Sequence, residues 1–155
     1  MAATSKVLTN AAESSCGITR TLGVLSDPWT FLILRSSFLG RRTFAEFRDS
    51  LGIATDVLTA RLNSLVEHGI FEKVPYQEPG QRTRHAYDRT DAGQDLLTVL
   101  VSLQQWGDAH LTSSKPRGVV PVRKDSGSEV HVSLTDDDGA FVESVDTEFV
   151  TAPRR

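Results

Sequence analysis

The sequence predicts a mainly α-helical chain with one small β-hairpin, an α+β domain, followed by an extra β-hairpin near the C-terminus. Three observations predict it: a capping box ahead of two short apolar-striped segments, a switch to alternating periodicity at Phe71, and a return to helical periodicity over Asp91–His110. The 155 residues, 39% apolar and 24% charged, suit a folded chain rather than a disordered one. The longest strong apolar run, Phe31 to Leu34, is too short for a bilayer, and residues 1–15 lack the apolar core of a secretory signal. No membrane partner is expected, and the expected location is the cytoplasm. One Cys excludes an internal disulfide and the Cys pairs of a structural zinc site.

The expected organisation is a mobile arm over 1–15, one domain over 16–112, and a linker with a C-terminal β-hairpin over 113–155. Ile18, Leu22 and Leu25 recur at helical spacing, giving a short helix from about Gly17 to Leu25. Asp27-Pro28 then supplies an N-cap and a first-turn proline for a helix that is apolar almost all round from Trp29 to Leu39. Such a helix belongs in the centre of a core. Thr43 and Glu46 form a capping box, so a helix starts at Phe44, and Gly52 after Leu51 closes it in a left-handed conformation. Ile53-Ala54 is a tight turn, Thr55 is read as the cap of a second helix with Leu58, Leu62 and Leu65 as its stripe, and Gly69 ends it. Two short helices across a tight turn are a helix-turn-helix signature. A β-hairpin follows, Phe71 to Tyr76 returning over Arg84 to Asp88 around Gln77-Glu78-Pro79-Gly80. Thr90 caps a long helix with Leu96, Val99, Leu100, Leu103 and Trp106 along one side, long enough to dock a second subunit. Beyond Ser113, Val130, Val132 and Leu134 and the segment from Phe141 flank Asp136-Asp137-Asp138-Gly139 as the extra hairpin.

The net charge of −3 conceals an uneven distribution. Residues 35–89 hold nine Lys/Arg against seven acids, whereas residues 113–155 hold six against eight. The mildly basic middle therefore keeps nucleic acid open as a partner.

Helix, buried helix, helix-turn-helix, hairpin and long helix is the order of a winged helix-turn-helix. The residues that carry a closer likeness are Cys16-Gly17-Ile18, Trp29-Thr30-Phe31-Leu32-Ile33-Leu34-Arg35, Arg42-Thr43-Phe44-Ala45-Glu46-Phe47, Leu58-Thr59-Ala60-Arg61-Leu62, Gly69-Ile70-Phe71, Tyr76-Gln77-Glu78-Pro79, Tyr87 with Thr90, and Trp106-Gly107. With these, the chain resembles the HxlR-type, MarR-like bacterial transcription regulators from Cys16 to Leu111. The resemblance implies a homodimer that binds operator DNA, usually as a repressor, and in some members a response to electrophiles or oxidants through an N-terminal cysteine. Asp27-Pro28 stands where the family often has Gly-Lys, and Ala54 and Asp56 stand where it often has Ser and a basic or amide residue. The second departure bears on DNA sequence preference.

Opposite the leucine stripe of the second helix lie Asp56, Ala60, Asn63 and Glu67. Within a winged helix this face meets the major groove. Asn63 suits bidentate pairing with adenine, Asp56 can accept from cytosine N4, and Thr55 and Thr59 can bond phosphate or base. Arg42 and Thr43 at the start of the capped helix, and Arg82, Arg84 and His85 near the hairpin tip, are the expected backbone contacts. The bland alternative is a solvated helix face and a hairpin whose charges discourage edge pairing. Arg61 suits either an ion-pair brace or a DNA contact. Cys16, at a helix start with Arg20 one turn on, is the candidate redox or electrophile site. Trp29, Phe31, Phe38 and Trp106 are candidates to line a small-molecule pocket, against the plainer reading as core. The Asp136–Asp138 run lacks the later carboxylate of a calcium loop and reads as a solvated turn, so neither metal nor cofactor is expected. Two rivals are an interaction module that kept the fold without DNA binding, motivated by Asp56 and Glu67, and a thiol enzyme using Cys16, for which no His base can be assigned.

Overall fold

A computed structural model of the chain describes residues 10–25, 27–77, 79–80 and 82–151. These form α1 (Gly17–Val24), α2 (Pro28–Phe38), α3 (Phe44–Leu51), α4 (Thr55–Glu67), β1 (Phe71–Tyr76), β2 (Arg84–Arg89), α5 (Asp91–His110), β3 (Leu134–Thr135) and β4 (Phe141–Val142). The chain divides into two compact units, Met1–Leu100 and Val101–Arg155, with the division inside α5. No helix among the described residues is long and apolar enough to cross a membrane.

The start of α2 follows from Asp27, whose side chain accepts a hydrogen bond from the Trp29 amide at 2.8 Å, with Pro28 in the first turn where no N–H is missed. Helix α3 starts at the capping box: Glu46 N–H donates to the Thr43 hydroxyl, and the Glu46 carboxylate accepts from Thr43 N–H at 2.8 Å. Gly52 ends it at φ +60°, a conformation costly for any residue with a Cβ. For α4 the expected cap is displaced by one residue. Ala54 occupies the cap position and Thr55 is the first helical residue, so the side chain of Thr55 does not cap.

In the first unit, Leu25, Ile33, Leu34, Phe47, Ile53, Leu58, Leu62, Leu65, Ile70 and Phe71 form one buried cluster, which α2, α3, α4 and β1 enclose. Phe47 and Phe71 stack at its centre with ring centroids 6.3 Å apart. Strands β1 and β2 are antiparallel with Tyr76 opposite Arg84 and Phe71 opposite Arg89. Thr43 bridges to Ala86, and Tyr87 N–H donates to the Arg42 carbonyl at 2.7 Å, so the segment before α3 acts as a short third strand. Thr90 caps α5 through its hydroxyl, which accepts from Gly93 N–H at 3.1 Å. A Cβ on Gly93 would collide with the Ile70 carbonyl, so only glycine lets α5 come this close to the end of α4.

Part of the arm expected over 1–15 is described. Residues 1–9 lie outside the described residues, but Ala11–Glu13 form a 3₁₀ turn and Ala11 is buried against α1 at Gly23, whose Cβ, if present, would lie 2.6 Å from that of Ala11.

In the second unit the extra hairpin is shorter than expected. Leu134–Thr135 pairs with Phe141–Val142, Val130 and Val132 lie outside the strands, and Val122 and Glu129 form a separate antiparallel bridge. The Asp136 carboxylate accepts from the amides of Asp138 and Ala140, and Gly139 takes φ +81°, which makes the acidic run a turn. Val132 is held instead by Gln105 of α5, whose amide donates to the Val132 carbonyl at 3.0 Å and accepts its N–H at 2.5 Å. Gln104 donates to the Val119 carbonyl, and Arg117 pairs with both Asp108 and Glu129.

Candidate nucleic-acid interface

Helix α4 buries Leu58, Leu62 and Leu65 and exposes Thr55, Asp56, Thr59, Ala60, Asn63 and Glu67. The division follows from the 100° step: the leucine stripe is held by the core, so the opposite face has nowhere to go but solvent. The Thr59 hydroxyl donates to the Thr55 carbonyl at 2.7 Å, which leaves its lone pairs and methyl outward. Asn63 accepts from the Lys73 ammonium at 3.2 Å, so its carbonyl is engaged, while its amide N–H groups have no partner among the described residues. This places Lys73 of β1 beside the face, a contribution that sequence reasoning missed because ten residues across a turn give no periodic signal. No ion pair or hydrogen bond engages the Asp56 carboxylate among the described residues.

The role of Arg61, left open by the sequence, is that of a brace. Its Nη2 donates to Asp27 at 2.7 Å, the same carboxylate that caps α2. One acidic side chain thus starts the buried helix and ties α4 to it. The Nε of Arg61 is buried without a partner among the described residues, a cost that the ion pair must outweigh.

At the hairpin, Arg82, Arg84 and His85 are exposed, and no hydrogen bond or ion pair engages their side chains among the described residues. Arg42 differs. Its Nε and Nη2 donate to the two oxygens of Asp88, each at 2.6 Å, a bidentate pair that holds its guanidinium more firmly protonated than usual. A phosphate at Arg42 would have to replace that carboxylate. Thr43 is likewise committed to the capping box, and the Glu46 carboxyl is held below the ordinary range by the amides of Arg42 and Thr43 and the Thr43 hydroxyl. Arg89, in contrast, faces inward: it lies over the Phe38 ring at 4.2 Å and donates to the Ser37 carbonyl, and burial lowers its pKa.

Cys16 is exposed at the N-cap position of α1. The polar groups of Thr19, its backbone and hydroxyl, and then the Ile18 amide lower its pKa, with a smaller contribution from the charge of Arg20, although the side chain makes no capping hydrogen bond to α1. Of the aromatic pocket candidates, Trp29, Phe31 and Phe38 lie in the first unit and Trp106 in the second. Trp29 and Phe31 pack on the core, Phe38 lies beneath Arg89, and Trp106 of the second unit is 59% exposed beside His110. Among the described residues no cluster of His, Cys, Asp and Glu could hold a metal ion.

The model of HxlR-like helix-turn-helix proteins matches residues 24–115, the whole of this interface and its supporting helices. The chain belongs to the HxlR-like helix-turn-helix family. A relative in Mycobacterium tuberculosis (strain ATCC 25618 / H37Rv), an uncharacterized HTH-type transcriptional regulator, is 43% identical over 99 residues, which is 64% of this chain and 60% of that protein. The match thus spans less than two thirds of the relative. A crystal structure described as a candidate transcription factor, PA1607, is 36% identical with a TM-score of 0.78 and covers 91% of this chain and 98% of its own. A second candidate transcription factor, PA1374 from Pseudomonas aeruginosa, is 34% identical with a TM-score of 0.62, covering 90% and 94%. The HxlR-like family and these relatives are transcription regulators and not enzymes, and the fold is the winged helix-turn-helix.

Proposed function

We propose that this chain is a sequence-specific regulator that binds operator DNA as a homodimer and represses transcription, with α4 in the major groove and the β1–β2 hairpin on the flanking backbone. The observation that carries the reading is the exposed face of α4 with Asn63 and Asp56, flanked by Arg82 and Arg84, cations that no carboxylate among the described residues neutralises. Asp56 sits in the first turn of α4, where the helix dipole offsets part of its repulsion from phosphate and leaves it able to accept from a cytosine amino group. Dimerisation is supported by the apolar side chains exposed on two helices: Ile18 and Leu22 on α1, and Leu97, Val99, Leu103 and Trp106 on α5.

Cys16 serves as the switch in this reading. It is exposed and its thiol is biased toward the thiolate, so an electrophile or oxidant reaches it directly. With a single cysteine, the products are a bridge to a second copy, a mixed disulfide, an adduct or a sulfenic acid.

The test is titration of purified protein with its own upstream DNA across a salt series, with and without diamide, for wild type and Cys16→Ser. The expected result is saturable, sequence-selective binding whose log affinity falls linearly with log salt, lost on oxidation in wild type only. Selective binding indifferent to diamide removes the switch and keeps the regulator. Absence of selective binding on every candidate operator favours the interaction module.

A further inference from the structure

Phe71 is buried and stacks on Phe47, which turns its face of β1 toward the helices. Side chains alternate along a strand, so Lys73, two residues on, shares that face, and there its Nζ donates to Oδ1 of Asn63 on α4 at 3.2 Å. Both residues are exposed, and Lys73 enters no ion pair among the described residues. Chemistry fixes which way the Asn63 amide points: an ammonium has three N–H donors and no acceptor, so only the amide oxygen can face it. The NH₂ of Asn63 is then the end left for a base. We propose that Lys73 sets the base preference of α4. With Asn63 it presents two donors side by side, which fit N7 and O6 of guanine, in place of the donor and acceptor with which asparagine alone reads adenine. The inference deepens the proposed function and rests on it.

The adenine edge offers an N7 acceptor and an N6 amino donor, so asparagine reads it by donating to the first and accepting from the second. In this chain an ammonium already lies at the accepting oxygen. The second lone pair of that oxygen does not restore the adenine reading, because the amino group that would reach it brings its positive hydrogens toward a full cation. Guanine carries the O6 acceptor in place of that amino group. A further N–H of Lys73 can bond O6 while Asn63 donates to N7, and a bond from a charged donor is about twice as strong as a neutral one. Contact with a base-reading side chain separates Lys73 from Arg82 and Arg84, whose side chains engage no partner among the described residues. A cation that met only phosphate would strengthen binding to every sequence alike.

The test is selection from a random duplex library by the full chain at one fixed salt concentration, for wild type, Asn63→Ala, Lys73→Met and Lys73→Arg. All three substitutions are at exposed positions, and alanine favours the helix, so the variants fold. The position at which Asn63→Ala loses preference is the one that Asn63 reads. Guanine is expected there in wild type by about tenfold over adenine, the discrimination of one good base contact. Lys73→Met keeps the stem and removes the charge, which frees the Asn63 oxygen, and the preference at that position alone passes to adenine. Lys73→Arg still donates and keeps guanine. Adenine preferred by wild type, guanine kept by Lys73→Met, or no position altered by Asn63→Ala overturns the assignment. So does a loss in Lys73→Met spread evenly over all sequences, the mark of a phosphate contact. Enrichment of no sequence by wild type overturns the proposed function and this assignment with it, whereas enrichment with the wrong base overturns the assignment alone and leaves the regulator standing.

Discussion

The two units of this chain are held by different physics. The first buries ten apolar side chains in one cluster, and its helices begin and end where caps dictate. The second has strands of two residues and fixes its backbone to α5 through amide side chains and one shared arginine. Several of its apolar residues lie outward: Val145 is 89% exposed and Phe149 97%. The difference separates a region whose geometry is set by packing from one whose geometry is set by a few polar contacts, and the two should fail differently.

The largest effect is expected at Phe47. Its ring is fully buried and stacked on Phe71, so Phe47→Ala removes about 3–5 kcal/mol from the first unit, enough to unfold a marginal domain. Thermal unfolding by circular dichroism checks this, and a loss under about 1 kcal/mol would mean that the packing does not set the geometry. Next comes Asp27. Asp27→Ala removes the cap of α2 and strands Arg61, whose Nε already lacks a partner among the described residues, and a loss of about 1–3 kcal/mol is expected. Asp27→Asn keeps an acceptor for the Trp29 amide and loses only the charge, so it should cost less. If Asn and Ala cost the same, the ion pair rather than the cap is what matters.

The Asp27–Arg61 pair also marks where the sequence stops being readable. Asp27-Pro28, the Thr43–Glu46 box and Gly52 are local signals, in which a side chain satisfies amides within four residues, and each is where the sequence puts it. Pairs such as Asp27–Arg61, Arg42–Asp88 and Lys73–Asn63 join residues 10 to 46 apart and leave no pattern along the chain. That is why Arg42 reads as a free cation in sequence and as half of a bidentate pair in structure. The cap of α4 fails for a related reason. Thr55 is a good cap by type, but the turn after Gly52 needs only Ile53 and Ala54, and the helix begins one residue early. The extension is least legible of all, because Gln104 and Gln105 bond backbone, which any sequence supplies.

A smaller effect is expected from Gln105→Ala. It breaks both bonds to Val132, so amide exchange should accelerate around residues 130–134 while the melting temperature of the first unit changes by no more than about 1–2 °C. Exchange that accelerates equally in α2 or α4 would show that the second unit supports the first, and that the two are not held independently.

The smallest effect tests the caps by pH. Glu46 accepts three hydrogen bonds from Arg42 and Thr43, so its folded-state pKa lies below its unfolded one. A depressed carboxyl contributes stability above the unfolded value, near 4.3 for glutamate, and loses it as pH falls through the folded value. Because the group is exposed, solvent screening keeps the contribution to a fraction of a kcal/mol. Glu46→Gln retains an acceptor for the box but cannot titrate. The wild-type protein should therefore be slightly the more stable at pH 7 and converge on the variant as pH falls through the folded value, read as the difference between their melting temperatures from neutral to acid pH. A constant difference would assign the effect of Glu46 to shape rather than charge, placing the start of α3 with the polar contacts that hold the extension.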